Sequence, residues 1–377
     1  MKKRKSSGLK ILIFNWRDTK HEWAGGGEVY ISELAKRWIK MGHQVTLFCG
    51  QDVKGGLPSE EVVNGIKTYR KGGRYNVYLW AVWYYFKKFR NNTDLIVDVQ
   101  NGIPFLTTIY SRKPKIAVVY HVHGRQFFIE LPFPLNLIGF AIEKYIFPVF
   151  YFKTKIIAIS KTTRDDLLKL GFKKKNIEIV YCGINGIKNS ITSNKFSKPT
   201  ILYLGRIKKY KRVDLLIRIM PEILKRVPNA NLMIAGWGTE ASSITDMTMR
   251  SISRRKVKII GPVTESEKNY LLSKTWVFVN ASIGEGWGIS VIEANLHGAP
   301  AVAFDVTGLS ESIKDGETGY LSQNEKEFIN KICDILDNKP LRLKLSKNAK
   351  KWANSFSWEK AARESESLLR QVYRNKN

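Results

Sequence analysis

The run Gly284-Glu285-Gly286-Trp287-Gly288-Ile289-Ser290-Val291-Ile292-Glu293 sets two carboxylates eight positions apart across a glycine-rich turn. An apolar helical pattern begins where the turn ends. Glycines at 284, 286 and 288 let the backbone approach a ligand with no Cβ in the way. The helix that follows would aim unsatisfied N–H groups at that ligand, which suits a diphosphate. Glu293 falls about one turn into the helix, where it could accept hydrogen bonds from a diol. Diphosphate plus diol describes a nucleotide-sugar. A plain strand-to-helix turn with a solvated Glu on each side fits the same letters, so the surroundings must decide.

Upstream, the apolar run Thr200 to Leu204 leads into Gly205-Arg206-Ile207-Lys208-Lys209-Tyr210-Lys211-Arg212. A basic loop at the carboxyl end of a strand lies where doubly wound sheets bind ligands. Arg206 as a fork and Lys211 as a point charge can neutralise a diphosphate. Lys208, Lys209 and Arg212 are expected in solvent. Gly236, inside Ala235-Gly236-Trp237-Gly238, and Gly261-Pro262-Val263 each follow another strand pattern. Their main chain would either meet a nucleobase or make ordinary turns.

Strand patterns at 231–235, 258–260, 276–279 and 300–304 complete this half. The first half has its own series at 10–14, 44–48, 95–97, 116–120 and 156–159, with helical patterns at 28–41 and 161–170. The polar stretch around Asn185 to Pro199 separates the two. The expected architecture is α/β: two doubly wound, Rossmann-like domains facing across a cleft. The boundaries are residues 1–184, a linker at 185–199, and residues 200–354, with a final segment at 355–377.

The chain has 377 residues and a net charge of +30, a field that attracts polyanions. Charge alone would also suit a basic nucleic-acid-binding protein. Only Tyr84 to Arg90 interleaves aromatics with cations, and no binding motif accompanies it, so no nucleic acid is expected. Three separated cysteines show no metal-ligand spacing, and a reducing compartment is expected. The apolar segment Leu131 to Ile142 is too short to span a bilayer. A cytoplasmic protein, peripheral on the inner face of the cell membrane, follows.

Gly25-Gly26-Gly27-Glu28 precedes a helix start and makes an anion-tolerant turn. Tyr30 occupies the position of the last glycine of a dinucleotide fingerprint, which disfavours a Rossmann-type oxidoreductase. His121 and His123 follow a strand, and only one of them is expected to point into the cleft. They have no third ligand at metal spacing, and Asp-x-Asp is absent from the chain. No metal and no cofactor are expected, so fixed cations and helix dipoles must do a metal's work.

These residues resemble retaining GT-B glycosyltransferases of family GT4. Glu285 to Glu293 matches the family's E-x7-E element. Gly25-Gly26-Gly27-Glu28 is similar to its G-G-x-E loop, and Gly42-His43-Gln44-Val45-Thr46 to its G-H-x-V-T strand start. Ile157-Ala158-Ile159-Ser160 resembles the segment before the hinge. Gly205-Arg206 with Lys211 resembles G-R-x4-K, and Gly316-Glu317-Thr318-Gly319 the D-G-x-T-G turn. Gly298-Ala299-Pro300-Ala301-Val302 is similar to G-x-P-V, with Ala301 departing from it. The resemblance spans nearly the whole chain.

It implies a hexosyltransferase using a UDP- or GDP-linked sugar, with the acceptor on the first domain and the donor on the second. Arg206 and Lys211 would hold the diphosphate, and Glu293 the ribose. Glu285 and the amides of Gly286, Trp287, Gly288 and Ile289 would hold the sugar. Gly205, Gly236, Gly261 and Val263 would complete the donor site. His121 would stand at the reaction centre, with His123 its competitor and Gly25 to Gly27 on the acceptor side. Trp237 stands where the family favours an acidic residue. The last helix, Phe356 to Tyr373, would return to the first domain. Aromatic, basic segments at Tyr78 to Arg90 and Phe127 to Phe152 suggest a lipid-linked or cell-envelope glycan acceptor and docking on an anionic membrane. The same aromatics would also suit a core.

Overall fold

The computed structural model describes residues 8–52, 55–186 and 194–376. The chain divides into two units, Met1–Gly183 with Trp358–Asn377, and Ile184–Ser357.

The first unit holds β1 (Lys10–Phe14), β2 (Gln44–Cys49), β3 (Glu60–Val63), β4 (Ile66–Arg70), β5 (Leu95–Gln100), β6 (Lys115–Val119), β7 (Lys155–Ala158) and β8 (Ile177–Ile179). They form one sheet in the order β3-β4-β2-β1-β5-β6-β7-β8. Neighbours run parallel except in the edge hairpin β3–β4. That hairpin turns at Asn64 and Gly65, both at positive φ, a strong short-range turn signal that the polar flanking residues obscured. A parallel sheet must be covered on both faces. On one face Leu12 and Phe14 pack with Phe48, Ile96 and Phe105. On the other the helix Gly26–Lys40 buries Tyr30, Ile31, Leu34 and Trp38.

The C-terminal helix Trp358–Arg374 belongs to this unit. Trp38 Nε1 donates to Ser365 Oγ at 3.1 Å, and the Tyr30 ring meets Trp358 edge-on. Phe356, expected to open this helix, instead lies in the second unit against Trp287 and Trp352. Leu131 to Ile142 contains the short helix Leu135–Ala141, which runs into a π-turn at Ile142–Ile146. Among the described residues no helix is long and apolar enough to cross a membrane.

The second unit holds β9 (Thr200–Leu204), β10 (Asn231–Ala235), β11 (Val257–Gly261), β12 (Val277–Asn280), β13 (Ala301–Phe304) and β14 (Gly319–Ser322). Their order is β11-β10-β9-β12-β13-β14, all parallel. Alternation sends Ile201, Tyr203, Val277 and Val279 to one core, and Leu202, Phe278, Ala301 and Ala303 to the other. Strand order reverses between β9 and β12, and ligands of such sheets bind outside the carboxyl ends at that reversal. Asn194 to Pro199, read as linker, dock on this unit: Trp276 Nε1 donates to Phe196 O at 2.8 Å. The rest of that stretch, 187–193, lies outside the described residues.

Candidate active site

The loops leaving β9 and β12 meet at the reversal. Gly205 and Arg206 follow β9, and the chain turns through Lys209–Lys211 to reach Arg212 at a positive φ of 51°. The β12 loop crosses to it, with Ile283 N donating to Tyr210 O at 3.0 Å. Lys211 Nζ there makes an ion pair and hydrogen bond with Glu285 Oε1. Asn280 Nδ2 at 3.1 Å and Ser282 Oγ at 2.9 Å donate to the same carboxylate. Burial works against both charges, and their mutual attraction outweighs it: Lys211 is held above its ordinary pKa and Glu285 below. The pair is therefore ionised around neutral pH. Arg206 reaches Tyr210 Oη at 3.4 Å, and Tyr203 Oη donates to Arg206 O at 2.8 Å.

Close backbone approach fixes these loops. Glu285 N donates to Thr307 O at 3.0 Å. A Cβ on Gly308, at φ 79°, would sit 2.3 Å from Glu285 O. A Cβ on Gly236, at φ 133°, would sit 1.9 Å from Gly205 O. Gly236 N in turn donates to Gly261 O at 2.7 Å, so three strand ends are tied through main chain alone. Val263 packs on the core beneath.

Gly288, at φ 82°, caps the helix Ile289–Leu296. Gly286 and Ile289 are half-buried, so their main chain is partly accessible. Trp287 is different: the residue is buried, with its indole against Phe356, so its side chain is not available to a donor. Glu293 lies one turn into the helix and accepts from Lys268 Nζ at 2.7 Å. Burial raises the Glu293 pKa against the pull of Lys268. The two motif carboxylates are thus pushed in opposite directions.

Residues 24–186 match the profile described as Glycosyltransferase Family 4, and 187–352 the profile described as Glycosyl transferases group 1. The chain belongs to glycosyltransferase family 4. Its fold is GT-B. It is 25% identical to an uncharacterised glycosyltransferase of Methanocaldococcus jannaschii, over 96% of this chain and 98% of that one. Sucrose-phosphate synthase of Thermosynechococcus elongatus is similar in structure, with a TM-score of 0.80 at 20% identity, covering 97% of this chain and 100% of the other. Anabaena HepE in complex with UDP and glucose has a TM-score of 0.74 at 16% identity, covering 96% and 100%. At these identities the structural likeness is one of fold.

In the first unit of this glycosyltransferase, Glu28 Oε2 accepts from Gly25 N at 2.7 Å while its Oε1 lies 3.1 Å from Arg17 Nη2. The amide of Gly25 is thus already used within the chain. Gly26 opens the helix, and a Cβ on Gly27 would lie 2.7 Å from the Tyr120 ring. His121 and His123 do not part: their ring centroids are 4.0 Å apart. Residues two apart share a face even within a strand; here β6 stops at Val119 and His123 has helical dihedrals, φ −72° and ψ −41°. The buried Glu143 accepts from His123 N at 2.8 Å and Gly124 N at 2.7 Å, which anchors His123.

Arg212, expected in solvent, is partly exposed, bonds Glu325 at 2.8 Å and covers the Phe304 ring at 5.0 Å. The sequence reading missed Asn280, Ser282 and Lys268. Ser282 stood three residues before Glu285. Lys268 is 25 residues from Glu293, and no spacing pointed to it.

Proposed function

We propose that the chain moves a hexose from a UDP- or GDP-linked sugar to a lipid-linked or cell-envelope glycan, with retention, by front-face transfer. The observation that carries this reading is the ionised Lys211–Glu285 pair at the strand-order reversal, beside the Arg206 loop. Arg206, Lys211 and the amides of Gly286 to Ile289 stabilise the departing diphosphate. Glu285 holds sugar hydroxyls, Glu293 the ribose diol, and the Gly236, Gly261 and Val263 main chain the base. The anomeric C–O bond to the diphosphate breaks, and a C–O bond to the acceptor forms on the same face. The acceptor proton passes to the leaving phosphate oxygen. On the family resemblance we assign His121 of the first unit a catalytic role, and Gly25 to Gly27 with His123 acceptor binding. The complex of HepE with UDP and glucose supports a nucleotide-sugar donor.

The test is hydrolysis and calorimetry with UDP-, GDP- and ADP-sugars. Glu293→Ala and Lys211→Ala should each abolish measurable donor binding. Unchanged binding in both overturns the site.

Membrane docking is supported by the exposed side chains of the first unit. Leu79, Trp83 and Phe86 on one segment and Phe133, Tyr145, Val149 and Phe152 on the other are each half or more exposed. The core reading therefore holds for Tyr85, Phe89, Phe147 and Tyr151 but not for these. The helix Thr107–Tyr110 joins the segments: Tyr110 meets the Phe86 ring, and Thr107 N donates to Tyr151 Oη at 3.1 Å. Lys87, Arg90 and Lys144 lie on the same two segments, and Lys153 directly follows the second. Apolar side chains beside cations suit the anionic inner leaflet, where each cation contributes about 1 kcal/mol. Sedimentation with anionic vesicles, at low and high salt, decides it: a protein left in the supernatant at low salt sinks the idea.

A further inference from the structure

Lys268 has no place in the reading above, and its position gives it one. It sits in the first turn of the helix Glu265–Lys274, which is capped by Thr264 through a reciprocal bond with Glu267. That helix starts directly after Gly261-Pro262-Val263, the loop given to the nucleobase. Lys268 Nζ bonds Glu293 Oε1 at 2.7 Å with its side chain only 15% exposed. Its other partner, Glu265, at 2.8 Å, is 83% exposed and competes weakly through solvent screening. A carboxylate that accepts two hydroxyls of a cis-diol must be ionised and fixed in direction. Glu293 is half-buried, and burial favours its neutral form, which would put a proton where an acceptor is needed.

We propose that Lys268 is a positioning residue that keeps Glu293 ionised and aimed at the ribose, tying ribose recognition to the base-reading loop. This rests on the assignment of the diol to Glu293. One Glu293 oxygen is committed to Lys268, and the remaining lone pairs are left for the sugar. The charged groups acting on Glu293 are Lys268 and Glu265, both on the one helix.

The test is titration calorimetry of the native chain with UDP, GDP and ADP and their 2′-deoxy forms, using the tightest binder. Charge-assisted hydrogen bonds to the diol should favour the ribonucleotide by about tenfold or more. Lys268→Met should reduce this ratio to that of Glu293→Gln. Lys268→Arg should restore most of it, and the double variant should be no worse than Glu293→Gln alone. A merely structural lysine would weaken both nucleotides equally and leave the ratio intact. A native ratio in Lys268→Met beside a lowered one in Glu293→Gln overturns the inference alone. A native ratio in Glu293→Gln overturns the diol assignment and the inference with it.

Discussion

Replacing Lys211 by Met leaves the Glu285 carboxylate without its counter-charge, and the consequences follow from the geometry. Removing one partner of a buried pair costs about 3–5 kcal/mol. Here the side chains are 12% and 14% exposed, and Asn280 and Ser282 still donate to the carboxylate. A loss of about 2–4 kcal/mol is the reasonable figure, or roughly 5–15 °C in the melting transition of a unit this size. The pH dependence carries the sign. In the native chain Glu285 has a depressed pKa, so its contribution is present above the ordinary carboxylate value and disappears as pH falls through the lowered one. In Lys211→Met burial acts without the lysine and raises that pKa instead. The deficit should then be greatest near neutrality and shrink as the carboxyl protonates. Adding Glu285→Gln should recover most of the melting temperature and none of the donor binding. Scanning calorimetry across pH reads all of this. A deficit below about 1 kcal/mol, the scale of an exposed pair, or one independent of pH, would refute the coupling.

Gly308→Ala puts a methyl 2.3 Å from Glu285 O and demands a positive φ of an alanine; transfer should drop by an order of magnitude or more, about 1.4 kcal/mol or above in barrier. Native turnover would show that this loop is free to relax. A chain ending before Trp358 uncovers Trp38 and Tyr30 of the Gly26–Lys40 helix, and its first unit should lose protection from hydrogen exchange; unchanged exchange there contradicts the packing. Phe133→Asp, at a side chain 77% exposed, should reduce vesicle sedimentation without changing donor affinity, because Phe133 and the donor residues belong to different units. Equal sedimentation would remove this residue from the docking face.

Most strands were readable because buried parallel strands are short apolar runs, and all five strand patterns after Thr200 have their counterparts in β9 to β13. The first edge hairpin was not, since Glu60 and Lys67 face solvent and Glu61 pairs with the buried Arg70, which together dilute the apolar alternation. The expectation that the two histidines would part was wrong on its own terms, since residues two apart in a strand share a face, and β6 had in any case ended at Val119. Trp287 was assigned only through its amide, and no local pattern showed that its indole packs onto Phe356.

By itself the sequence determined the alternation of strands and helices, the glycines on which close approach depends, and the family to which the chain belongs. Those properties are local in the chain: apolar period, missing Cβ atoms and motif order. Only the tertiary structure decided which lysine neutralises which carboxylate, that Arg212 pairs with Glu325, and that Phe356 packs on Trp287 in the second unit. Coulombic pairing and burial depend on distance in space, and Lys211 with Glu285, 74 residues apart, become neighbours only once strand order reverses between β9 and β12.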